Sequence, residues 1–252
     1  ILLMAGCALY AAVQAQVTID IDAQQRGPKV SPMLYGIFYE DINHAADGGI
    51  YAELIRNRSF EDGPRYGAPA DMQAWSTLAA APSQLTAQLI QPSKKTPLLN
   101  SAHHHALELS IKASPAAPVS LLNEGYSGIN AVQGRSYRLA FWAKNLKYQG
   151  TVKAILRSKD GSQIYAETAV EGFPSAKVKG WAKYEAELTA HDNDPQAQFA
   201  LVFDGAGQVQ LDMVSLFPPT FKNRENGMRP DLANMLWQLH PKFMRFPRGC
   251  FV

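Results

Sequence analysis

The middle of the chain is a series of short segments in which apolar and polar residues alternate. Strands are predicted at 105–112, 137–144, 152–157, 183–188, 198–203 and 209–213. Turn-forming pairs such as Gln133-Gly134 and Asp160-Gly161 separate them. Because alternation with a period of two is typical of strands with one buried face, and no helical pattern interrupts it, this region is predicted to be a β-sandwich.

The regions on either side of this sandwich carry different patterns. Residues 17–22 alternate and are predicted to form a strand. The continuous apolar run 34–39 predicts a strand that is buried on both faces. Near the other end, 229–239 predicts a helix with Pro230 in its first turn, and 242–246 predicts a strand. The predicted apolar face of the helix consists of Leu232, Met235, Leu236 and Leu239. A helix followed by a strand is half of a βαβ unit, which indicates a second domain with a parallel sheet.

Composition excludes several classes of protein. The chain has 24 Lys+Arg and 22 Asp+Glu among its 252 residues, for a net charge of +2. It therefore lacks the basic excess expected of a protein that coats nucleic acid or of a polybasic protein that binds a membrane surface. Its two cysteines, Cys7 and Cys250, are too few for a disulfide scaffold or a multi-cysteine zinc site.

The first residues resemble the end of a secretory signal. Residues 1–13 are almost wholly apolar and uncharged, and Val13-Gln14-Ala15 places small residues at the spacing that a signal peptidase reads. The run is too short to span a bilayer as a helix. We therefore expect residues 1–15 to be a signal peptide and the protein to be secreted or periplasmic. A buried N-terminal helix and a lipoprotein anchor at Cys7 are the weaker alternatives.

Three positions in the flanking regions are candidates for a site. Glu40 and Asp41 end an apolar run, and successive strand residues point to opposite faces, so one of them faces a site or both are solvated. Arg245 lies in an apolar strand, where a charge is costly unless it is paired. It therefore belongs to a site or to a structural salt bridge. Cys250 has no evident histidine partner, which disfavours thiol catalysis.

The sandwich region offers two further groups of candidates. His103, His104 and His105 form a histidine cluster, but a metal site would need additional ligands that the sequence does not reveal. The simpler interpretation is that these histidines mark the start of a strand at the protein surface. Trp142 lies on the face opposite the apolar side of its strand, and with Trp181 it is a candidate for stacking on sugar rings. Core packing is the alternative for both.

Two separated motifs in the flanks strongly resemble the α-L-arabinofuranosidases of glycoside hydrolase family 51. The first motif runs through 31–43, 48–54 and 57–61, and the second through 226–229 and 242–252. The segment between them is similar to a carbohydrate-binding module of the family 4/9 type, which one branch of that family inserts at this place.

The resemblance implies an architecture with two parts. An all-β jelly-roll sandwich of the galactose-binding-like kind would be inserted into the start of a (β/α)8 TIM barrel that is truncated in this chain. The implied segments are a signal peptide at 1–15 and an N-terminal strand with the first barrel strand at 16–60. A module-like sandwich follows at 61–217, and the first helix and second strand of the barrel lie at 218–252.

The resemblance also implies an activity. The family removes terminal arabinofuranosyl residues from arabinan- or arabinoxylan-type polysaccharides with retention, using two glutamates and no cofactor. Both glutamates lie downstream in the family, so the fragment itself is expected to be inactive. A non-catalytic carbohydrate-binding protein and a purely structural insert are the alternatives. The implied partner is an arabinose-containing plant polysaccharide; nucleic acid and a stable membrane span are not expected, and the full enzyme is expected to form a homo-oligomer.

Individual residues match the family's motifs. Glu40 matches the glutamate that hydrogen-bonds arabinose hydroxyls, Arg245 matches the arginine that orders the acidic site, and Cys250 matches a position lining the pocket. Arg248 replaces the first glycine of the family's Pro-Gly-Gly, which weakens the assignment of Cys250.

The sandwich also has a candidate metal site by resemblance. Related modules often hold a structural Ca²⁺, and Glu61 and Asp212 are its candidate ligands. A site without metal is an equal alternative.

Overall fold

The computed structural model describes residues 17–64, 67–94, 96–173 and 178–246. Within them the chain forms thirteen strands, a 3-10 helix at Phe221–Asn223 and one α-helix, α1, at Pro230–Gln238. The strands are β1 (Ile37–Phe38), β2 (Trp75–Leu78), β3 (Gln84–Ile90), β4 (Ala106–Lys112), β5 (Val119–Asn123), β6 (Ile129–Ala131), β7 (Ser136–Asn145), β8 (Val152–Arg157), β9 (Ile164–Ala169), β10 (Ala182–Thr189), β11 (Asp194–Phe203), β12 (Ala206–Phe217) and β13 (Met244–Arg245).

Strands β2 to β12 form two antiparallel sheets that pack into a sandwich. One sheet has the order β10-β7-β12-β4-β3, and the other has the order β2-β5-β11-β8-β9 with β6 paired to β11. Tyr137, Leu139 and Phe141 alternate along β7 and are at most 1% exposed, and Phe199 and Leu201 of β11 are fully buried. All five side chains belong to one hydrophobic cluster. The predicted β-sandwich is therefore confirmed.

The six predicted strands are present as β4, β7, β8, β10, β11 and β12. The strands β2, β3, β5, β6 and β9 are not among the predicted ones. In β5 the reason is burial, because all five of its residues are buried and no alternation results. Its position beside β11, inside the sheet, accounts for that burial.

Two predictions for the N-terminal region are wrong. Residues 17–22 form no strand, and Val17, Ile19 and Ile21 are about four-fifths exposed. Alternation shows which side of a segment is apolar, but a strand also needs a partner, and the described residues offer none. The run 34–39 contributes only the two residues of β1, and Leu34 and Tyr35 are exposed. Within the described residues, β1 pairs on one edge only, with β13.

The flanking regions meet in a small parallel unit. β1 and β13 pair in parallel, with Ile37 opposite Met244 and Phe38 opposite Arg245. The predicted helix is confirmed as α1, with Pro230 as its first residue. Its predicted apolar face is partly wrong, since Ala233 is buried whereas Met235 and Leu239 are exposed. Within the described residues, the two-stranded pair is too narrow to cover a whole face of the helix.

Candidate functional site

The two faces of the parallel pair differ in what they contact. Tyr39 and Phe246 extend the strands on the side of α1, where their ring centres lie 5.5 Å apart. These rings, together with Ala233 and Trp237 of the helix region, line an apolar cavity of about 510 Å³. The helix therefore lies on one side of the pair, with the cavity between them, and the alternate residues belong to the other face.

Glu40 and Arg245 lie on the face opposite the helix. The guanidinium carbon of Arg245 is 5.9 Å from the centre of the Phe38 ring. The backbone N–H of Tyr39 donates to the carbonyl of Arg245 at 3.0 Å, which continues the ladder beyond β1. Strand alternation then places Glu40 on the same face as Phe38 and Arg245, at the carboxyl end of the pair. The structure thus brings together two of the three predicted substrate residues.

The adjacent acids Glu40 and Asp41 have different surroundings. One carboxylate oxygen of Asp41 accepts a hydrogen bond from the backbone N–H of Ala46 at 2.9 Å, which closes the loop after the strand. Glu40 is half-buried, and its carboxylate forms no hydrogen bond or ion pair with the described residues. Arg245 likewise forms no ion pair within the described part of the chain, so the salt-bridge interpretation finds no partner there. Cys250 and Arg248, like residues 1–15 with Cys7, lie outside the described residues.

The two candidate tryptophans share one face of the five-stranded sheet. Trp142 of β7 is half-buried and lies between Lys183 of β10 and Asp212 of β12. Trp181 directly precedes β10, two residues before Lys183, and its indole N–H donates to the carbonyl of Pro97 at 3.2 Å. The two indoles are therefore diagonal neighbours on adjacent strands, a spacing within reach of aromatic side chains.

A row of polar side chains crosses four strands of the same face beside Trp142. Gln88, Glu108, Gln210 and Lys144 are aligned by strand register. The amides of Gln88 and Gln210 donate to the two oxygens of Glu108 at 3.1 and 2.8 Å. Gln210 is 2% exposed, and its side-chain oxygen is buried with no hydrogen-bond partner. Buried polar atoms are normally satisfied, so this oxygen is an exception among the described residues. Sequence reasoning missed this row, because only strand register assembles it.

The predicted calcium ligands contact the histidine cluster instead. Nδ1 of His103 lies 2.6 Å from a carboxylate oxygen of Asp212, and Nδ1 of His105 lies 2.8 Å from a carboxylate oxygen of Glu61. The other oxygen of Glu61 accepts hydrogen bonds from the backbone N–H groups of His104 and His105 at 2.7 and 2.9 Å. The other oxygen of Asp212 accepts from the N–H of Met213 at 2.7 Å.

The pKa values of these two carboxyl groups are shifted in opposite directions. Burial raises the pKa of Asp212, and its hydrogen bond with His103 offsets only part of that effect. Burial also acts to raise the pKa of Glu61, but hydrogen bonds from His105 and His104 outweigh it and hold that pKa below its usual range. One carboxylate is fully buried and the other is partly exposed, which is the physical difference between them.

The present arrangement does not fit a calcium ion. All four oxygens of Glu61 and Asp212 accept hydrogen bonds, and Ca²⁺ requires six to eight oxygen ligands. Among the described residues no group of three or more histidine, cysteine, aspartate or glutamate side chains is placed to hold a metal. Calcium binding stays a prediction that would require an imidazole to move away.

No helix of the described residues is long and apolar enough to cross a membrane.

Comparison with known proteins connects the fold to a family. No protein-family profile matches the chain. It is 37% identical over 238 residues to the extracellular exo-α-L-arabinofuranosidase of Streptomyces chartreusis, and 32% identical over 241 residues to α-L-arabinofuranosidase 1 of Arabidopsis thaliana. These matches cover 93% and 94% of this chain but 26% and 34% of the relatives. The chain thus spans about a quarter to a third of the length of these relatives.

A solved structure gives the same result. The arabinose-bound structure of an α-L-arabinofuranosidase of glycoside hydrolase family 51 matches with a TM-score of 0.72 and 32% identity. The match covers 86% of this chain and 34% of that one. Sequence and fold therefore agree over most of the chain, which belongs to the α-L-arabinofuranosidases of glycoside hydrolase family 51 and represents their N-terminal portion.

Proposed function

We propose that this chain is the N-terminal portion of an exported, retaining α-L-arabinofuranosidase. The enzyme removes terminal arabinofuranosyl residues from arabinan- or arabinoxylan-type polysaccharides. The observation that carries this proposal is the position of Glu40 and Arg245 on one face of a parallel strand pair, at its carboxyl end and opposite the helix. Active sites of (β/α)8 barrels are built at that end of the strands.

The parallel unit has the form expected of the first two strands of such a barrel. α1 lies on the outer side of the pair, as barrel helices do, with the apolar cavity between them. The pair is only two strands wide, and Phe38, Met244 and Phe246 are about half exposed. Large apolar side chains on a parallel sheet are normally covered on both faces, so further strands and helices account for this exposure. We therefore propose that the sandwich is inserted between the first strand and first helix of a barrel.

Each of the two residues has a chemical role in this proposal. The carboxylate of Glu40 accepts several hydrogen bonds, and charge-assisted hydrogen bonds orient the hydroxyl groups of a furanose ring. The guanidinium of Arg245 favours the ionised form of neighbouring carboxylates. The two glutamates that protonate the leaving oxygen and form the covalent intermediate belong to later strands. The 252-residue chain itself is therefore expected to be inactive, and turnover of an aryl α-L-arabinofuranoside by the purified chain would contradict this part of the proposal.

A chimaera tests the role of Glu40. The N-terminal portion of the Streptomyces relative is replaced by this chain, and hydrolysis of an aryl α-L-arabinofuranoside is measured. We expect an active enzyme, and we expect Glu40→Ala to reduce kcat/KM by about 100-fold, the scale of two lost charge-assisted hydrogen bonds. Glu171→Ala, at an exposed position of the sandwich, serves as the control. Equal activity of the two variants would exclude Glu40 from substrate binding.

The sandwich has a second proposed role, which is to bind glycan. Trp142 offers an aromatic surface, and the neighbouring row of Gln88, Glu108, Gln210 and Lys144 offers hydrogen-bond donors and acceptors. The side chains of Trp142 and Lys144 are half-buried and that of Gln88 is exposed, so a ligand can reach this face, which supports glycan binding over a spacer role. Export is proposed from the apolar residues 1–13, and the extracellular location of the Streptomyces relative supports it.

A further inference from the structure

A second groove lies between the sandwich and the segments that connect it to the parallel unit. It has a volume of about 470 Å³. The sandwich contributes Tyr126, Asn130 and Arg135 to its wall, and the connecting segments contribute Gly48, Arg229 and Asp231. The groove has the size of a small-molecule site and is distinct from the apolar cavity under α1.

The groove lies at the same end of the parallel unit as Glu40. The chain passes from Glu40 through the loop that contains Gly48 and then runs beside the residues that precede α1. The N–H of Arg229 donates to the carbonyl of Ile50 at 2.8 Å, and the N–H of Ala52 donates to the carbonyl of Gly227 at 3.1 Å. In a βαβ unit the carboxyl end of the first strand and the start of the helix share one edge. These segments thus place the groove beside the proposed arabinose site.

The walls of the groove are held in place by close contacts. Gly48 has a φ of +86°, and a Cβ there would lie 2.4 Å from the ring of Tyr126. The rings of Tyr126 and His44 meet edge to face at 5.5 Å. Arg229 and Asp231 form a two-pronged ion pair with N–O distances of 2.6 and 3.2 Å. The sandwich is therefore packed directly on the loop that follows Glu40, which leaves the groove preformed.

The groove wall combines three tyrosine side chains, an amide, two guanidinium groups and two carboxylates. This mixture suits an uncharged ligand with many hydroxyl groups, because guanidinium and carboxylate groups bind neighbouring hydroxyls through paired hydrogen bonds. A purely apolar ligand would displace water from Asn130 and Arg135 without replacing its hydrogen bonds, which is costly. A strongly acidic ligand would be opposed by Asp231 and by the buried carboxylate of Glu53.

We propose that this groove binds the neutral main-chain sugars to which the terminal arabinofuranosyl residue is attached. The inference rests on the proposed function, since it takes the arabinosyl unit to be held at Glu40. In this proposal, the contact between the sandwich and the parallel unit helps to select the polymer. It does so in addition to the glycan-binding face around Trp142.

Titration of the ¹⁵N-labelled 252-residue chain tests the proposal. The probe is a neutral arabinoxylan oligosaccharide with one α-L-arabinofuranosyl branch, followed through backbone amide signals. We expect the signals of Gly48, Gly128 and Arg229 to shift. The double variant N130A/R135A is expected to weaken the affinity read from these signals at least fivefold, without changing the response around Trp142. Asn130 and Arg135 are exposed, so the fold is expected to persist, and a melting curve checks this. The double variant K159A/E171A at exposed positions is the control.

The outcomes separate this proposal from the proposed function. Shifts confined to the surroundings of Trp142, no shifts at all, or equal affinity in the double variant would overturn the groove proposal. Preferential binding of an oligosaccharide that carries uronic acids would also overturn it. Activity of the chimaera on the aryl α-L-arabinofuranoside, which has no polymer main chain, would leave the proposed function intact in each case. An inactive chimaera together with shifts at the groove would contradict the function and keep the groove as a glycan site.

Discussion

The carboxylate of Glu53 accepts a hydrogen bond from the backbone N–H of Leu216 at 2.8 Å, although the two residues are 163 positions apart. The same carboxylate accepts from the hydroxyl of Ser215 and from the backbone N–H of Ile55, and the guanidinium of Arg58 lies 3.6 Å away. Glu53 is 3% exposed. One buried carboxylate therefore ties the segment that enters the sandwich to the strand that leaves it.

Removal of the Glu53 carboxylate is expected to destabilise the protein strongly. Glu53→Ala leaves three donors near a buried void, and we expect a loss of about 3 kcal/mol in the free energy of unfolding, measured by urea denaturation. Glu53→Gln keeps an acceptor for Leu216, so we expect it to cost about 1 kcal/mol. Glu185→Ala, at an exposed position, is the control and should change stability by less than about 0.5 kcal/mol. Equal losses in the alanine and glutamine variants would show that the hydrogen bonds contribute little.

The pH dependence of stability should also report on Glu53. Burial raises its pKa above 4.5, despite hydrogen bonds from Ser215, Ile55 and Leu216 that act in the opposite direction. The folded state then binds this proton more tightly than the unfolded state, so this group's contribution to stability falls as pH rises above 4.5. In the Glu53→Gln variant that fall should be absent. Parallel pH profiles of wild type and variant, from melting curves, would exclude this effect.

Glu61 should give a pH dependence of the opposite sign. Its pKa is lowered because hydrogen bonds from His105 and His104 outweigh the effect of burial. Its stabilising contribution is therefore complete above pH 4.5 and is lost as pH falls through the lower folded pKa. We expect Glu61→Gln to cost about 1 kcal/mol at pH 6, with the difference from wild type shrinking below pH 4. A difference that does not shrink below pH 4 would contradict the role of these hydrogen bonds to the Glu61 carboxylate.

Retention on polysaccharide should depend on Trp142. We expect Trp142→Ala to reduce the retardation of the chain in affinity electrophoresis through arabinoxylan, because the variant removes the aromatic surface beside the polar row. Trp237→Ala is the matched control, since Trp237 is 59% exposed but lies on α1, outside the sandwich. Melting curves of both variants verify folding. Unchanged retention in a folded Trp142→Ala variant would favour the spacer interpretation of the sandwich.

Gly48→Ala tests the close contact between the sandwich and the loop after Glu40. The backbone at Gly48 is left-handed, and a Cβ would lie 2.4 Å from the Tyr126 ring, so the variant is expected to lose about 3 kcal/mol. Gly134→Ala is a matched control, because Gly134 has a φ of +77° but no atom within 4 Å of an added Cβ. The Gly134→Ala variant is expected to lose only about 1 kcal/mol of stability, from its left-handed backbone. Similar losses in the two variants, measured by thermal unfolding, would argue against tight packing at this junction.

Local patterns predicted several of the strands that have one buried face. β7, with Leu139 and Phe141 inside and Trp142 outside, has such a pattern, and so does β10. β5 gives no alternation because it is buried on both faces. The exposed residues 17–22 alternate without a partner strand among the described residues. Alternation therefore reports the polarity of a segment and not its pairing.

The sequence by itself determined the sandwich class, the helix that begins at Pro230 and the family, because these depend on local periodicity, on turn residues and on motifs within short segments. Only the tertiary structure decided that Glu53 meets Leu216, that His105 pairs with Glu61, and that Gln210 lies in a row with Glu108. Each of these contacts joins residues far apart in the chain. Such contacts are fixed by strand register and by packing between segments, which no local pattern encodes.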